Sequence, residues 1–224
     1  MSMNFDYANA RELMVEQQVR PWDVLDARVL DVLATVPRDR FVAEAHRSLA
    51  YADLALPTAH GEVMMKPVVE GRMLQALDPR PGDEVLEIGT GSGFIAACLG
   101  RLARTVTTIE RHADLASAAQ ARLASEGLDA NIEVVHADAL DWQPGSRRFD
   151  AICVTGAVAA IPARFIGWLR PGGRLFVIRG VAPVMEAVLV TAPADAGGTP
   201  VTTSLFETEL PYLAGAGPVA RFEL

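Results

Sequence analysis

The sequence predicts a doubly wound, mostly parallel α/β sheet with a helical extension in front of it. Three observations carry this. From residue 84 onward, short β-rich runs alternate with helical runs, the pattern of a parallel sheet covered by helices. The first of those strands runs into a glycine-rich turn, Gly89-Thr90-Gly91-Ser92-Gly93, that opens a helix. Such a turn places a ligand at the carboxyl ends of the strands, near the point where strand order reverses. The chain has 224 residues, half of them hydrophobic, enough for one α/β core and too apolar for disorder. The expectation is therefore a single domain over residues 1–224, with a helical and substrate-loop part at 1–80 and an α/β core at 81–224.

The elements follow in order. Leu13, Met14, Gln17 and Val19 predict a helix that stops at Pro21. Asp26 is expected to cap a second helix carrying Val29, Leu30, Leu33 and Val36 at helical spacing, with Pro37 at its end. Residues 51–67, broken by Pro57, Gly61 and Pro67, have no period and should be loop or short extended structure. Pro67 can open the next helix, with Val68, Val69, Met73, Leu74 and Leu77 facing inward. Strands are expected at 84–88, 106–109, 132–135, 151–155 and 175–178, and helices at 94–103, 113–125 and 161–169. Arg80-Pro81-Gly82-Asp83 and Pro171-Gly172-Gly173 are turns, and Gly127 closes a helix. Residues 186–191 and those after Val201 should add further strands.

Composition narrows the function. The formal net charge is -8 and the isoelectric point near 5.0, a surface that repels a phosphate backbone, so nucleic acid is not expected as a partner. The two cysteines, Cys98 and Cys153, sit in apolar runs and should be buried small hydrophobes rather than a disulfide framework. The first residues lack the basic start and apolar stretch of a signal peptide, and no run of about 18 apolar residues occurs. A cytoplasmic protein that engages no membrane is expected. The four histidines, His46, His60, His112 and His136, show no metal-ligand spacing.

The glycine loop reads E-x-G-x-G-x-G from Glu87 to Gly93. A dinucleotide fingerprint would need glycine at position 94, which is Phe94. Glu87 would oppose a pyrophosphate but suits a phosphate-free cofactor with an ammonium and a sulfonium. Glu110 ends the second strand, where an acid can accept from both ribose hydroxyls. Asp138 follows the third, where an acid can take an adenine amino group. Together they point to S-adenosyl-L-methionine.

At this point a resemblance is visible along nearly the whole chain. VLEIGTGSGF at 85–94, ELMVEQQV at 12–19, VPRDRFV at 36–42, AYADLALPTAHG at 50–61, FDAICVTGAV at 149–158, LRPGGRLFV at 169–177 and the closing ARFEL resemble the protein-L-isoaspartate O-methyltransferase family. The resemblance implies a seven-stranded, Rossmann-like methyltransferase sheet. It implies cofactor contacts from Val63, Met64 and Met65 before the sheet, from Glu87 and Gly89, Thr90, Gly91, Ser92 and Gly93, from Glu110 and Arg111, and from Asp138 and Ala139. It implies a protein or peptide substrate, methylated on the side-chain carboxylate of an isoaspartyl residue in repair of damaged protein.

The chain departs from the family pattern in one important place. After His60-Gly61 the family usually has Gln-Thr-Ile-Ser; here stand Glu62, Val63, Met64 and Met65. Two hydroxyls expected to help place substrate and cofactor are thereby lost, and Glu62 adds a charge that repels a carboxylate. Milder changes are Gly156 and Ala139, where alanine and glycine are usual. The substrate-pocket candidates are His60, Glu62, Met65 and Thr155. A carboxylate acceptor is ionised at neutral pH and needs no base, so no catalytic residue is assigned. The alternatives are a family member that methylates a small molecule or a hydroxyl group, for which His60 or Glu62 could act as base, and a non-catalytic protein that binds the cofactor.

Overall fold

The computed structural model describes residues 5–195 and 197–218. The closing ARFEL segment, read above as a C-terminal strand, lies outside the described residues.

The N-terminal part is helical. Helix α1 (Tyr7–Met14) is capped by Asp6, whose carboxylate accepts from the Asn9 amide. Beyond Met14 the chain keeps winding, first as a π-helical turn over Val15–Val19 and then as a 3-10 turn over Arg20–Trp22. The expected stop at Pro21 is therefore too early. Pro21 lies in the first turn of the 3-10 segment, where its missing N–H would be unpaired in any case. The stop is Asp23, in the left-handed region at φ 63°. Helix α2 (Ala27–Thr35) is capped by Asp26, which accepts from the Arg28 amide at 2.8 Å.

Residues 51–67 are mostly irregular, as expected. Within them β1 (Leu56–Pro57) and β2 (Val63–Met64) form a short antiparallel ribbon. Helix α3 (Pro67–Leu77) starts on Pro67 and buries Val68, Met73, Leu74 and Leu77. It also buries Glu70 and Gly71, which the apolar pattern did not single out.

The sheet has seven strands. Five are parallel: β3 (Glu84–Ile88), β4 (Thr105–Glu110), β5 (Ile132–His136), β6 (Phe149–Val158) and β7 (Leu169–Val181). Strands β8 (Val184–Thr191) and β9 (Val201–Glu207) continue it antiparallel to their neighbours. The spatial order is β5-β4-β3-β6-β7-β8-β9. Helices α4 (Phe94–Leu102) and α5 (Ala113–Ser125) match the expected spans closely. Helix α6 (Ala163–Gly167) is shorter than the expected 161–169. Pro162 forces an extended entry, and Leu169 already pairs with Phe149 in the sheet.

Two apolar clusters cover the two faces. One joins Met14, Val29, Leu33, Met73 and Leu74 of the N-terminal helices to Val85, Phe94, Cys98 and Phe176 of the α/β part. The other packs Leu86, Ile88, Ile152, Phe165, Trp168 and Val177. The order turns outward from β3 in both directions, to β4 on one side and β6 on the other. The crevice above these strand ends is the place where such a fold binds its ligand.

Candidate functional site

Strand β3 delivers Glu87 and Ile88 to that crevice, and the chain then turns through the glycine loop into α4. Gly89 has φ 98°, and a side chain there would overlap the Thr155 hydroxyl. Only glycine meets both conditions. Its amide and that of Thr90 donate to the Ile109 carbonyl, at 2.9 and 3.1 Å, tying the loop to β4.

Two cavities lie end to end over the loop and share the walls Val63, Gly89, Gly91 and Thr155. The outer cavity, about 80 Å³, is walled by apolar side chains such as Ile109, Leu140 and Leu213 and rimmed by Glu110, Arg111 and Asp138. The inner one, about 40 Å³, is lined by Met64, Met65, Thr90 and Ser92 and has the buried Glu87 and Glu70 in its wall.

Glu87 is fully buried. One carboxyl oxygen accepts from Thr108, whose hydroxyl is also 2.6 Å from that of Thr90; the other, Oε1, has no partner among the described residues. Burial, against the Thr108 hydrogen bond and reinforced by the Glu110 charge, pushes its pKa up to about 8. The sequence reading took Glu87 for a standing negative charge. Without a cation beside it, burial favours the protonated form.

Glu110 holds the other side of the loop. Its carboxylate accepts from the Gly91 amide at 2.8 Å and the His112 amide at 3.0 Å. Asp138 accepts from the Leu140 amide at 2.9 Å and faces Arg111 at 3.7 Å. Ala139 lines the cavity beside it.

This chemistry suits an adenosyl sulfonium amino acid. An apolar slot with acids at its rim matches an adenine and a ribose. An unpartnered buried carboxyl oxygen in the deeper chamber matches an ammonium group.

Gly93 stands apart from the other expected cofactor residues. It lines neither cavity and packs against Ala119 of α5, so its place is helix packing. Of the substrate-pocket candidates, Glu62 and Thr155 line the outer cavity, and Met65 lines the inner one. Thr155 donates to the carbonyls of Ile88 and Gly89, so its hydrogen is committed to the loop. His60 lines neither cavity. Its Nε2 lies 2.9 Å from Asp114, and its ring stacks on His112 at 4.0 Å, fastening the turn between β1 and β2 to the start of α5.

Sequence reasoning missed Leu213, Ala214, Leu140 and His112 in the outer wall. Leu213 comes from the far end of the chain, and its only forward signal was Gly156. A Cβ at Gly156 would fall 2.7 Å from the Leu213 side chain, so glycine there admits Leu213 to the cleft.

Also missed was Arg38, buried beneath the loop. It donates to Glu70 at 2.6 Å, to the Met65 carbonyl at 2.7 Å and to the Ala50 carbonyl at 2.8 Å, and lies over the Phe94 ring. Among the described residues no cluster of His, Cys, Asp or Glu could hold a metal, and no helix is long and apolar enough to cross a membrane.

Comparison with known proteins bears on the family and the fold. The sequence model of the family described as protein-L-isoaspartate(D-aspartate) O-methyltransferase matches residues 9–194. A protein-L-isoaspartate O-methyltransferase of Koribacter versatilis is 40% identical over 82% of this chain and 82% of its own length. One of Methylorubrum extorquens is 43% identical over 77% of this chain and 75% of its own. Among solved structures, a putative protein-L-isoaspartate O-methyltransferase of Plasmodium falciparum, in complex with S-adenosyl-L-homocysteine, superposes with a TM-score of 0.76. It covers 93% of this chain and 98% of that one at 17% identity, which speaks to the fold.

Proposed function

Because the chain belongs to the protein-L-isoaspartate(D-aspartate) O-methyltransferase family, we propose that its cleft transfers a methyl group to the side-chain carboxylate of an isoaspartyl residue in a damaged protein. The chain is an S-adenosyl-L-methionine-dependent methyltransferase. When bound, that cofactor supplies an electrophilic methyl carbon on a cationic sulfur.

The protein's own groups bind and orient. Glu110 and Asp138 would hold the ribose and adenine, with Arg111 and Ala139 beside them. Glu87, together with the loop residues Gly89 to Ser92 and with Val63, Met64 and Met65, would hold the amino-acid end. An acceptor carboxylate is ionised at neutral pH and attacks with its own lone pair. With the cofactor bound, a carbon–oxygen bond would form as the methyl carbon–sulfur bond broke, the electron pair leaving with sulfur. No proton moves, so orientation and exclusion of water supply the catalysis. The observation that carries this reading is the pair of joined cavities with an unpartnered buried carboxyl in the inner one.

One observation favours a different acceptor for the same cofactor. The loop from Glu62 to Met65 bears no hydroxyl, and the Thr155 hydroxyl is spent on backbone. The Thr58 hydroxyl faces only the carbonyl of Ala59, at 3.4 Å.

Incubation with methyl-labelled cofactor and an isoaspartyl peptide, beside its ordinary aspartyl counterpart, decides between them. Label in a base-labile ester on the isoaspartyl peptide alone is the expected result. Normal cofactor binding with no ester formed on that peptide would rule the repair activity out. Label on small-molecule acceptors would then support the other acceptor class.

A further inference from the structure

Where the two cavities meet at Val63, the charges are unbalanced. Glu62 is half-buried and lines the outer cavity beside Val63, and its carboxylate has no hydrogen-bond or ion-pair partner among the described residues. Arg111 in the same wall already faces Asp138, His60 hydrogen-bonds to Asp114, and Lys66 is exposed and lines neither cavity. Deeper in, the Arg38 guanidinium is spent on Glu70 and on two backbone carbonyls. An incoming carboxylate therefore meets an unpaired like charge, and neither arginine is free to neutralise it.

We propose that Glu62 is a specificity-determining residue that selects acceptor peptides by the charge next to the methylated carboxylate, favouring a neighbouring Lys or Arg and rejecting Asp or Glu. The inference rests on the carboxyl-acceptor reading above. A cation beside the acceptor pairs with Glu62 and removes the repulsion that the acceptor carboxylate would otherwise meet. A second acid in that position doubles the repulsion. The net charge of -8 pulls in the same direction from a distance, but that contribution is screened beyond about 8 Å at physiological salt. A contact with a half-buried carboxylate survives salt far better, which separates the local effect from the global one.

The test uses two isoaspartyl peptides that differ only in carrying lysine or glutamate beside the isoaspartyl residue. The readout is the ratio of their kcat/KM values at saturating cofactor, in the unaltered protein and in Glu62→Gln and Glu62→Lys, at physiological and at high salt. An unchanged melting temperature verifies the fold of each variant. A ratio is insensitive to partial loss of activity.

The unaltered protein should favour the lysine peptide by about tenfold or more, a preference that largely persists at high salt. Glu62→Gln should bring the two peptides to within about twofold, and Glu62→Lys should reverse their order. A ratio near one in the unaltered protein, or one that Glu62→Gln leaves unchanged, overturns the inference while both peptides are still methylated. If neither peptide is methylated although cofactor binds, the carboxyl-acceptor reading falls and this inference falls with it.

Discussion

Glu87 shows how much a single buried carboxyl can control. Its pKa is raised from 4.5 to about 8 in the fold, chiefly by burial, and the one charge acting on it, Glu110, is negative. The folded protein thus holds a proton that the unfolded chain releases between those values. Stability of the cofactor-free protein should then fall as pH rises from about 4.5 and stop falling above about 8. Glu87→Gln should flatten that slope, which urea unfolding at several pH values measures. Docking of an ammonium against Glu87 favours its charged form, so cofactor uptake near neutral pH should expel about one proton. Calorimetry in buffers of different ionisation enthalpy counts it; the same count in Glu87→Gln would show that the proton comes from elsewhere. Gly156 carries the second prediction at this scale. Alanine is usual there in the family, yet here a Cβ would lie 2.7 Å from Leu213. Gly156→Ala should displace Leu213, cost about 1–3 kcal/mol as overpacking, and weaken cofactor binding in a titration. The placement of the glycine loop, Glu110 and Asp138 around one cleft was legible in the sequence because their residue types and spacing mark the strand ends. The protonation of Glu87 was not, because it depends on how completely the fold buries the group.

Between elements, the Arg38–Glu70 pair ties the turn after α2 to a distant stretch of chain, the loop carrying Met65 and the helix α3 that follows it. Removing one partner leaves the other charged and buried. Arg38→Met should therefore cost about 3–5 kcal/mol of stability, read by urea unfolding. Replacing both, as Arg38→Met with Glu70→Met, should recover most of that loss, since a buried ion pair contributes little over apolar packing. The double variant still lacks the donor that holds the Met65 carbonyl. Its KM for an acceptor peptide should stay raised at saturating cofactor, whereas full recovery of KM would show the pair to be packing alone. The boundaries of β3, α5 and α3 were legible because alternation, Gly127 and Pro67 mark them directly. Helix α6 and the end of the first helical segment were not. Pro162 and Pro21 each admit more than one local geometry, and pairing of Leu169 in the sheet decided the first case. The buried charge pair was hidden for a related reason: each partner looks like an ordinary surface residue until the two segments meet.

Across the whole molecule, the N-terminal helices have no core separate from the sheet. Met14, Leu33 and Leu74 share one apolar cluster with Phe94, Cys98 and Phe176, so the face of the sheet beneath α4 is closed by residues from both halves. Detaching the first 80 residues would expose that face, and the helices alone bury too little to stand by themselves. The ordering of β7, β8 and β9 adds to the same body through two antiparallel pairings. That ordering was not legible in the sequence, because antiparallel addition at an edge leaves no mark in a strand's own residues. We propose that the chain is one cooperative unit rather than a helical part docked on a core. Native-state hydrogen exchange can check this. Amides of α2 and α3 should reach protection close to that of β3, and all three should respond alike to low denaturant, because each exchanges through the same global opening. Added cofactor should raise all of them together, by about 2.7 kcal/mol at one hundred times its dissociation constant. If α2 and α3 instead open at several kcal/mol below β3, the shared cluster does not couple the halves, and the boundary near residue 80 is a true domain boundary.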